Sequence, residues 1–301
     1  MNAVAIIPAR YGSVRLPGKA LLEIAGKPMI CWVVARAVAA RNVSRAIVAT
    51  DDERILYAVQ SAGYEAVMTS KDLASGTDRI AEVAASLADA EIVVNLQGDE
   101  PLVSPITIER AIEAIGEPIG ETGKEGKGEG GKGNGEFGRR GDGETGIVTT
   151  WEPMEFAADV LNPDMVKIVV DQNECAVYFS RSPVPYPRDA VRNHSSLEAA
   201  LRNDPSLLTG FRKHTGLYVY RRNVLLEFSK WPKSELEKRE SLEQLRALEH
   251  GVKIKAIEAS TWSIGVDTIE DLQRVRSLVE EEAFGWSSNF SLPTGKPQPK
   301  G

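Results

Sequence analysis

Four short apolar runs separated by helix-forming stretches set the main constraint on how this chain can fold. The first, Ala3-Val4-Ala5-Ile6-Ile7, contains no polar residue and stops at Pro8. A strand without polar alternation is buried on both faces, as inside a parallel sheet covered by helices. Further strands are expected over 45–50, 65–68 and 91–96. Helices are expected between them over 28–41, from Asp51 or Asp52 to Ser61, and over 77–87. Proline suits the first turn of the first, a capping aspartate opens the second, and Gly63 stops it. That alternation means βαβ units. Beyond residue 146 the rhythm changes. Runs 166–170 and 175–179 read as a hairpin, 215–220 and 253–257 as strands, and 223–229, 241–249 and 268–282 as helices. The expected fold class is α/β, a single three-layer α/β/α domain with a mixed, mostly parallel sheet.

One segment breaks the pattern. Residues 116–146 hold 13 of the 26 glycines, with Ile119 and Phe137 as the only bulky apolar side chains. Such a stretch cannot bury enough surface to offset its ordering entropy, so it is expected to be a mobile insertion in a domain spanning 1–284. Replacing residues 117–145 with a short turn is expected to leave activity intact, since long surface loops close at little cost. The tail 285–301 carries Pro293, Pro297 and Pro299 and is expected to fray. A net charge of −7 argues against bulk nucleic-acid binding. No apolar stretch approaches the roughly 20 residues of a membrane span, and no basic segment precedes the first apolar run. A cytoplasmic protein without membrane insertion is expected. Cys31 and Cys175 lie far apart without a nearby histidine, which predicts buried free thiols rather than a zinc site.

In open α/β sheets, ligands bind beyond the carboxyl ends of the strands. The first such end reads PARYGSVRLPGK (8–19) and brings Arg10, Arg15 and Lys19 together in an otherwise acidic protein. It is neither GxGxxG nor a P-loop, so its charge leaves a phosphate site and a solvated loop both open. Asp99 follows the strand 91–96, where a carboxylate could hold Mg²⁺ or simply cap local backbone. Asp267 could join it or cap the helix starting at Thr268.

Seven runs occur in order: PARYGSVRLPGK, SGTDR (75–79), NLQGDEP (95–101), YFSR (178–181), HTGLY (214–218), LEQLR (242–246) and GVDT (265–268). Together they closely resemble the 3-deoxy-manno-octulosonate cytidylyltransferases, the CMP-Kdo synthetases of Gram-negative bacteria. The resemblance runs from about Ala3 to Val279 and excludes the glycine-rich segment and the tail. It implies a nucleotide-diphospho-sugar transferase-like fold, CTP and 3-deoxy-D-manno-octulosonate (Kdo) as substrates, Mg²⁺ as cofactor, a homodimer, and a place in lipopolysaccharide synthesis. By position it puts Ala9, Arg10, Ser13, Arg15, Lys19, Ser75 and Gly76 at CTP. It puts Arg79, Gln97, Arg181, His214, Tyr218, Glu243 and Gln244 at the sugar acid. Asp99 and Asp267 match the metal-binding aspartates, and Lys19 and Arg10 join them as catalytic groups. Asp78 stands where many relatives have Glu, and Val14 where many have a small residue or Thr.

Several of these residues have plainer readings. His214 alone reads as a surface histidine, and Tyr218, between Leu217 and Val219, as a core side chain. Glu243 and Gln244 are helix neighbours that share no face unless both sit at the helix start, as capping by Ser241 would place them. The rival functions are transfer to another acidic sugar, such as an 8-amino Kdo derivative or a sialic acid, and a non-catalytic nucleotide-binding relative.

Overall fold

The N-terminal apolar run forms β1 (Ala3–Ala9), and its side chains divide between two cores. Ala3, Ala5, Ile7 and Ala9 pack on one face, Val4 and Ile6 on the other, so the strand is central and covered on both sides. The structure, a computed structural model, describes residues 1–12, 16–117 and 144–285. Ser13, Arg15, most of the glycine-rich segment and nearly all of the tail lie outside the described residues, and with them the expectations made for those positions.

After β1 come a 3-10 turn (Lys19–Leu21) and a small hairpin of β2 (Glu23–Ile24) and β3 (Lys27–Pro28). Then α1 (Met29–Ala39), β4 (Val43–Thr50), α2 (Glu53–Ser61), β5 (Glu65–Met68), α3 (Gly76–Ser86), β6 (Ile92–Asn95) and α4 (Pro105–Ala114) follow in the expected alternation. The capping aspartate of α2 is Asp52, whose carboxylate accepts from Arg54 N. Beyond the glycine-rich segment lie β7 (Ile147–Pro153), α5 (Ala157–Leu161), β8 (Lys167–Val170), β9 (Ala176–Ser180), α6 (Arg188–Arg192) and α7 (Leu197–Asn203). A 3-10 helix (Pro205–Gly210), β10 (Arg212–Arg221), α8 (Arg222–Phe228), α9 (Glu235–Glu240), α10 (Gln244–Glu249), β11 (Ile254–Glu258) and α11 (Ile269–Gly285) complete the order.

The main sheet runs β11-β7-β10-β6-β1-β4-β5, with the antiparallel hairpin of β8 and β9 attached through β10. Only β10 runs against its neighbours on that path. Side chains of α1, α2 and α4 fill one core, and those of α3, α8 and α10 the other. This is the expected mixed sheet between two helical layers. No described helix is long and apolar enough to cross a membrane. Cys31 and Cys175 are buried and free, as expected.

Some elements depart from expectation. β7 was not anticipated, although Ile147-Val148-Thr149-Thr150 is β-branched throughout. The helix expected over 241–249 starts later, as α10 over 244–249, and a separate helix, α9, precedes it. Ser234 and Glu237 form a capping box that opens α9, and Ser241, at φ 53°, ends it in the left-handed region. Ser241 is therefore a stop, not the cap of α10.

The polarity of the sheet decides where a site can form. β1, β4, β5, β6, β7 and β11 all end at one edge, and antiparallel β10 begins there, with Tyr218 opposite Asn95. Segments 8–12, 97–101, 214–217 and 263–267 converge on that edge. The described ends of the glycine-rich segment, at 116–117 and 144–146, lie at the opposite one. Glu117, after α4, pairs with Lys255 at 2.7 Å, and Glu144, before β7, pairs with Arg221 at 2.9 Å.

Candidate active site

Lys19 is where the distant segments meet. Its Nζ donates to Asp99 Oδ2 at 2.5 Å and to Asp267 Oδ1 at 2.9 Å. Residue 19 follows Gly18, whose φ of 69° a side chain would resist, and Gly18 N donates to Tyr11 O at 2.9 Å to close the loop. Asp99 leaves the end of β6, and Val266 N donates to Asp99 O at 2.9 Å, which stitches the Asp267 segment to the β6 loop. Burial pulls the Lys19 pKa down, but the two carboxylates outweigh it and leave it above the ordinary value. Thr268, not Asp267, caps α11. Its Oγ1 accepts from Asp271 N, and Asp271 Oδ2 accepts from the Asp267 and Thr268 amides. The Asp267 carboxylate is thus not spent on capping α11 and pairs with Lys19. Asp99 likewise spends its carboxylate on Lys19 across 80 positions of sequence, not on a local cap.

A second network fixes this geometry. Glu100 Oε2 accepts from Ser263 Oγ at 3.0 Å, and Glu152 Oε1 accepts from Ser263 N at 2.7 Å. Glu152, on β7 and buried, also pairs with Lys213 on β10 at 3.0 Å. Burial pushes the Glu100 carboxyl up to about 7, reinforced by the Asp99 charge and opposed by the Ser263 hydroxyl. Sequence reasoning missed Glu100, Glu152, Lys213 and Ser263. Glu100 stands beside Asp99 in its run, but Glu152 lies on the unanticipated strand. Gln97 Nε2 donates to Gly216 O at 3.2 Å, and a Cβ on Gly216 would lie 2.6 Å from Gln97 Cγ and 2.8 Å from Glu100 Oε1. Only glycine lets β10 approach this loop so closely.

Arg10, exposed just past the end of β1, donates from Nη2 to Leu73 O at 2.6 Å, tying the β1 loop to the segment before α3. Ala9 is buried at the end of β1. Ser75 caps α3 in a capping box with Asp78, and Gly76 opens the helix over Pro8. The shorter Asp78 closes this box, so the departure from Glu costs nothing here. A cavity of about 430 Å³ adjoins this helix start, lined by Ser75, Asp78, Lys233, Ser241, Glu243 and Arg246 among others. Thr77 Oγ1 donates to Glu243, which stands at the start of α10 with Gln244 as its first residue. Both thus sit at the helix start, but Gln244 is buried and is not among the residues lining that cavity. Burial raises the Glu243 carboxyl pKa, against hydrogen bonding from Thr77.

Two arginines expected at the sugar acid are engaged by protein groups in this structure. Arg79 is fully buried, its guanidinium bonded to Thr69, to Ser70 O at 3.4 Å and to Asp51 Oδ2 at 2.6 Å. It braces the ends of β4 and β5 and does not line the cleft, because Asp51 neutralises it from behind. Arg181 donates to the carbonyls of Glu240 at 2.7 Å, Pro163 at 2.9 Å and Ser241 at 3.5 Å. It holds the carboxyl end of α9, whose free carbonyls attract a cation.

His214 is no surface histidine. Its ring packs against Phe179 and Tyr218 at centroid distances of 5.1 and 5.3 Å, and Nε2 lies 3.0 Å from Thr149 Oγ1. Tyr218 stacks on Tyr220 at 5.8 Å, so it packs in the core and touches His214 at once. Burial raises both phenol pKa values, and both side chains stay neutral. Burial, helped by Lys213, pulls the His214 imidazole from 6.5 down to about 3. An unfolded chain takes up this proton near pH 6.5, whereas the folded one refuses it until about pH 3. The group is neutral towards stability above 6.5 and costs progressively more as pH falls from 6.5 to 3. His214→Gln is expected to flatten this acid limb by up to about 1.4 kcal/mol per pH unit. Urea denaturation across that range checks it; equal slopes in the two proteins would contradict it.

Among the described residues no three His, Cys, Asp or Glu gather as a metal cage. Two carboxylates that already share one cation are a donor set suited to Mg²⁺, which keeps waters and shares substrate phosphates. The larger cavity, about 1210 Å³, lies between α1, α4 and α11 beyond the 263–265 segment and contains neither Lys19 nor the two aspartates.

Residues 4–254 match the protein family described as Cytidylyltransferase. A 3-deoxy-manno-octulosonate cytidylyltransferase of Trichlorobacter lovleyi is 45% identical over 284 residues, covering 93% of this chain and all of the relative. One of Escherichia coli is 40% identical, covering 93% of this chain and 97% of its own length. Among solved structures, a CMP:2-keto-3-deoxy-manno-octonic acid synthetase complexed with CTP superposes with a TM-score of 0.75 at 40% identity, covering 94% of this chain and all of that one. A 4-diphosphocytidyl-2C-methyl-D-erythritol synthase of Anaerococcus prevotii, 14% identical with a TM-score of 0.53 over 93% of this chain and 96% of that one, shares the fold.

Proposed function

This chain belongs to the 3-deoxy-manno-octulosonate cytidylyltransferases, and from that premise we propose that it transfers CMP from CTP to the anomeric hydroxyl of Kdo, releasing pyrophosphate. The hydroxyl oxygen forms a bond to the α-phosphorus, the bond from that phosphorus to the bridging oxygen breaks, and the hydroxyl proton is lost. The observation that carries this reading is the convergence of Asp99 and Asp267 on Lys19 at the carboxyl edge of the sheet.

The residues suit the charges involved. Lys19 and Arg10 are placed to neutralise a triphosphate entering over the β1 loop. Ser75 and Gly76 offer the start of α3 beside it. Glu243 presents acceptor atoms to sugar hydroxyls, and the neutral His214–Tyr218 pair supplies an uncharged wall. Gln97, held by Gly216, spans between these groups and the aspartates. Asp99 and Asp267 would hold Mg²⁺. Bound there, the ion supplies polarisation of a phosphoryl oxygen and a lowered pKa for the attacking hydroxyl. Because positioning and charge neutralisation suffice, the chain needs no nucleophile of its own. A homodimer is supported by exposed Val177 and Tyr186 on and just beyond the β8–β9 hairpin, apolar surface that a second copy would cover.

The test is pyrophosphate release from CTP with Kdo in the presence of Mg²⁺. Turnover with Kdo is expected. Release with an 8-amino Kdo derivative or a sialic acid, and none with Kdo, would reassign the acceptor.

A further inference from the structure

The Lys19 ammonium already occupies the acceptor oxygens that a divalent cation would need. It lies 2.5 Å from one aspartate and 2.9 Å from the other, and its side chain is only 17% exposed. An ammonium brings one positive charge to the two carboxylates where a divalent cation would bring two. Both cations cannot take the same lone pairs. Lysine carries a compact charge on a flexible four-carbon stem, so its head can leave without movement of the backbone. The backbone here is pinned independently by Gly18 N to Tyr11 O and Lys19 N to Leu16 O. The aspartate segments are pinned by Val266 N to Asp99 O and by the Glu100–Ser263 contact. The site can therefore exchange its cation while both carboxylates stay in place.

We propose that Lys19 is a built-in competitor for the metal pair: in the nucleotide-free protein it holds Asp99 and Asp267, and an arriving triphosphate draws it away and opens them to the divalent cation. This rests on the cytidylyltransferase reading and adds to it a coupling between the two ligands. Coupling of this kind is reciprocal, so divalent cation bound to the aspartates also frees Lys19 for phosphate. The free protein should bind divalent cations weakly, and removal of the ammonium should tighten that binding.

The experiment is Mn²⁺ binding to the nucleotide-free protein, read from the loss of the free-ion signal in electron paramagnetic resonance. Lys19→Met is expected to bind Mn²⁺ about tenfold more tightly than wild type, within the ordinary range of coupling. Lys19→Gln is expected to do the same and decides the question if the methionine variant does not fold. Adding Asp99→Asn to either variant should abolish the gain. Affinity unchanged or weakened in a folded Lys19 variant would overturn the proposal, as would a gain that survives Asp99→Asn. CMP transfer by wild type is measured separately. Transfer without the gain defeats the exchange alone, and the gain without transfer leaves the exchange standing and defeats the substrate reading.

Discussion

Asp99→Asn is expected to lower turnover by roughly a thousandfold with little change in melting temperature. The substitution keeps the shape of the side chain and removes one of two carboxylates that face Lys19. Polarising a phosphoryl group is worth several kcal/mol of barrier, and each 1.4 kcal/mol is about tenfold in rate. Stability has less at stake. The Asp99 side chain is 28% exposed, and a partly exposed ion pair contributes little to the fold. The β6 loop keeps its anchor through the Asp99 carbonyl to Val266 N. Steady-state release of pyrophosphate together with a thermal melt separates the two effects. Turnover near wild type at saturating Mg²⁺ would remove Asp99 from the chemistry.

The largest stability effect is expected at Glu237, which lines the cavity of about 430 Å³ beside Glu243 but is assigned no contact with substrate. Its carboxylate takes both Nε and Nη2 of Arg246 at 2.7 Å, with each side chain only 6% exposed. The remaining guanidinium nitrogen reaches the carbonyls of Trp231 at 3.1 Å and Phe228 at 3.3 Å. Glu237→Ala leaves that cation buried beside the Phe228 ring without its bidentate partner, with only weaker Coulombic attraction from Glu243 and Asp78. The expected cost is about 3–5 kcal/mol, or a fall in melting temperature on the order of 10 °C. Glu237→Leu combined with Arg246→Met should recover much of it, since the pair as a whole is not strongly stabilising. A single variant that melts with wild type would show that water reaches the guanidinium after all. Arg246 lies on α10, which also carries Gln244 and follows directly from Glu243. The single variant should therefore raise the KM for Kdo as well.

Particular residues show how far local pattern reached. The run Ala3–Ile7 announced a strand covered on both sides because polar residues were missing from both faces, a property of sequence alone. Asp52, Ser75 and Gly63 marked helix ends through chemistry confined to a few neighbours. The contacts of Arg79 and Arg181 were not legible for the opposite reason. Their partners, Asp51 for one and the carbonyls of Pro163, Glu240 and Ser241 for the other, come from other elements. Taken alone, His214 reads as a surface histidine because nothing adjacent announces Phe179, which arrives from β9 through the hairpin; the resemblance alone put it at the sugar acid.

From its order of residues alone, this chain declared a parallel α/β core, the family its motifs belong to, and which acids and cations were candidates for chemistry. Those features depend on spacing within a few residues or on the succession of short runs. Folding alone decided that Lys19, Asp99 and Asp267 share one point, that Thr268 takes the capping duty and leaves Asp267 to Lys19, and that Glu152 holds the Asp267 segment in place. Each of these relations needs strands distant along the chain to end at the same edge, and strand order is a property of the whole sheet.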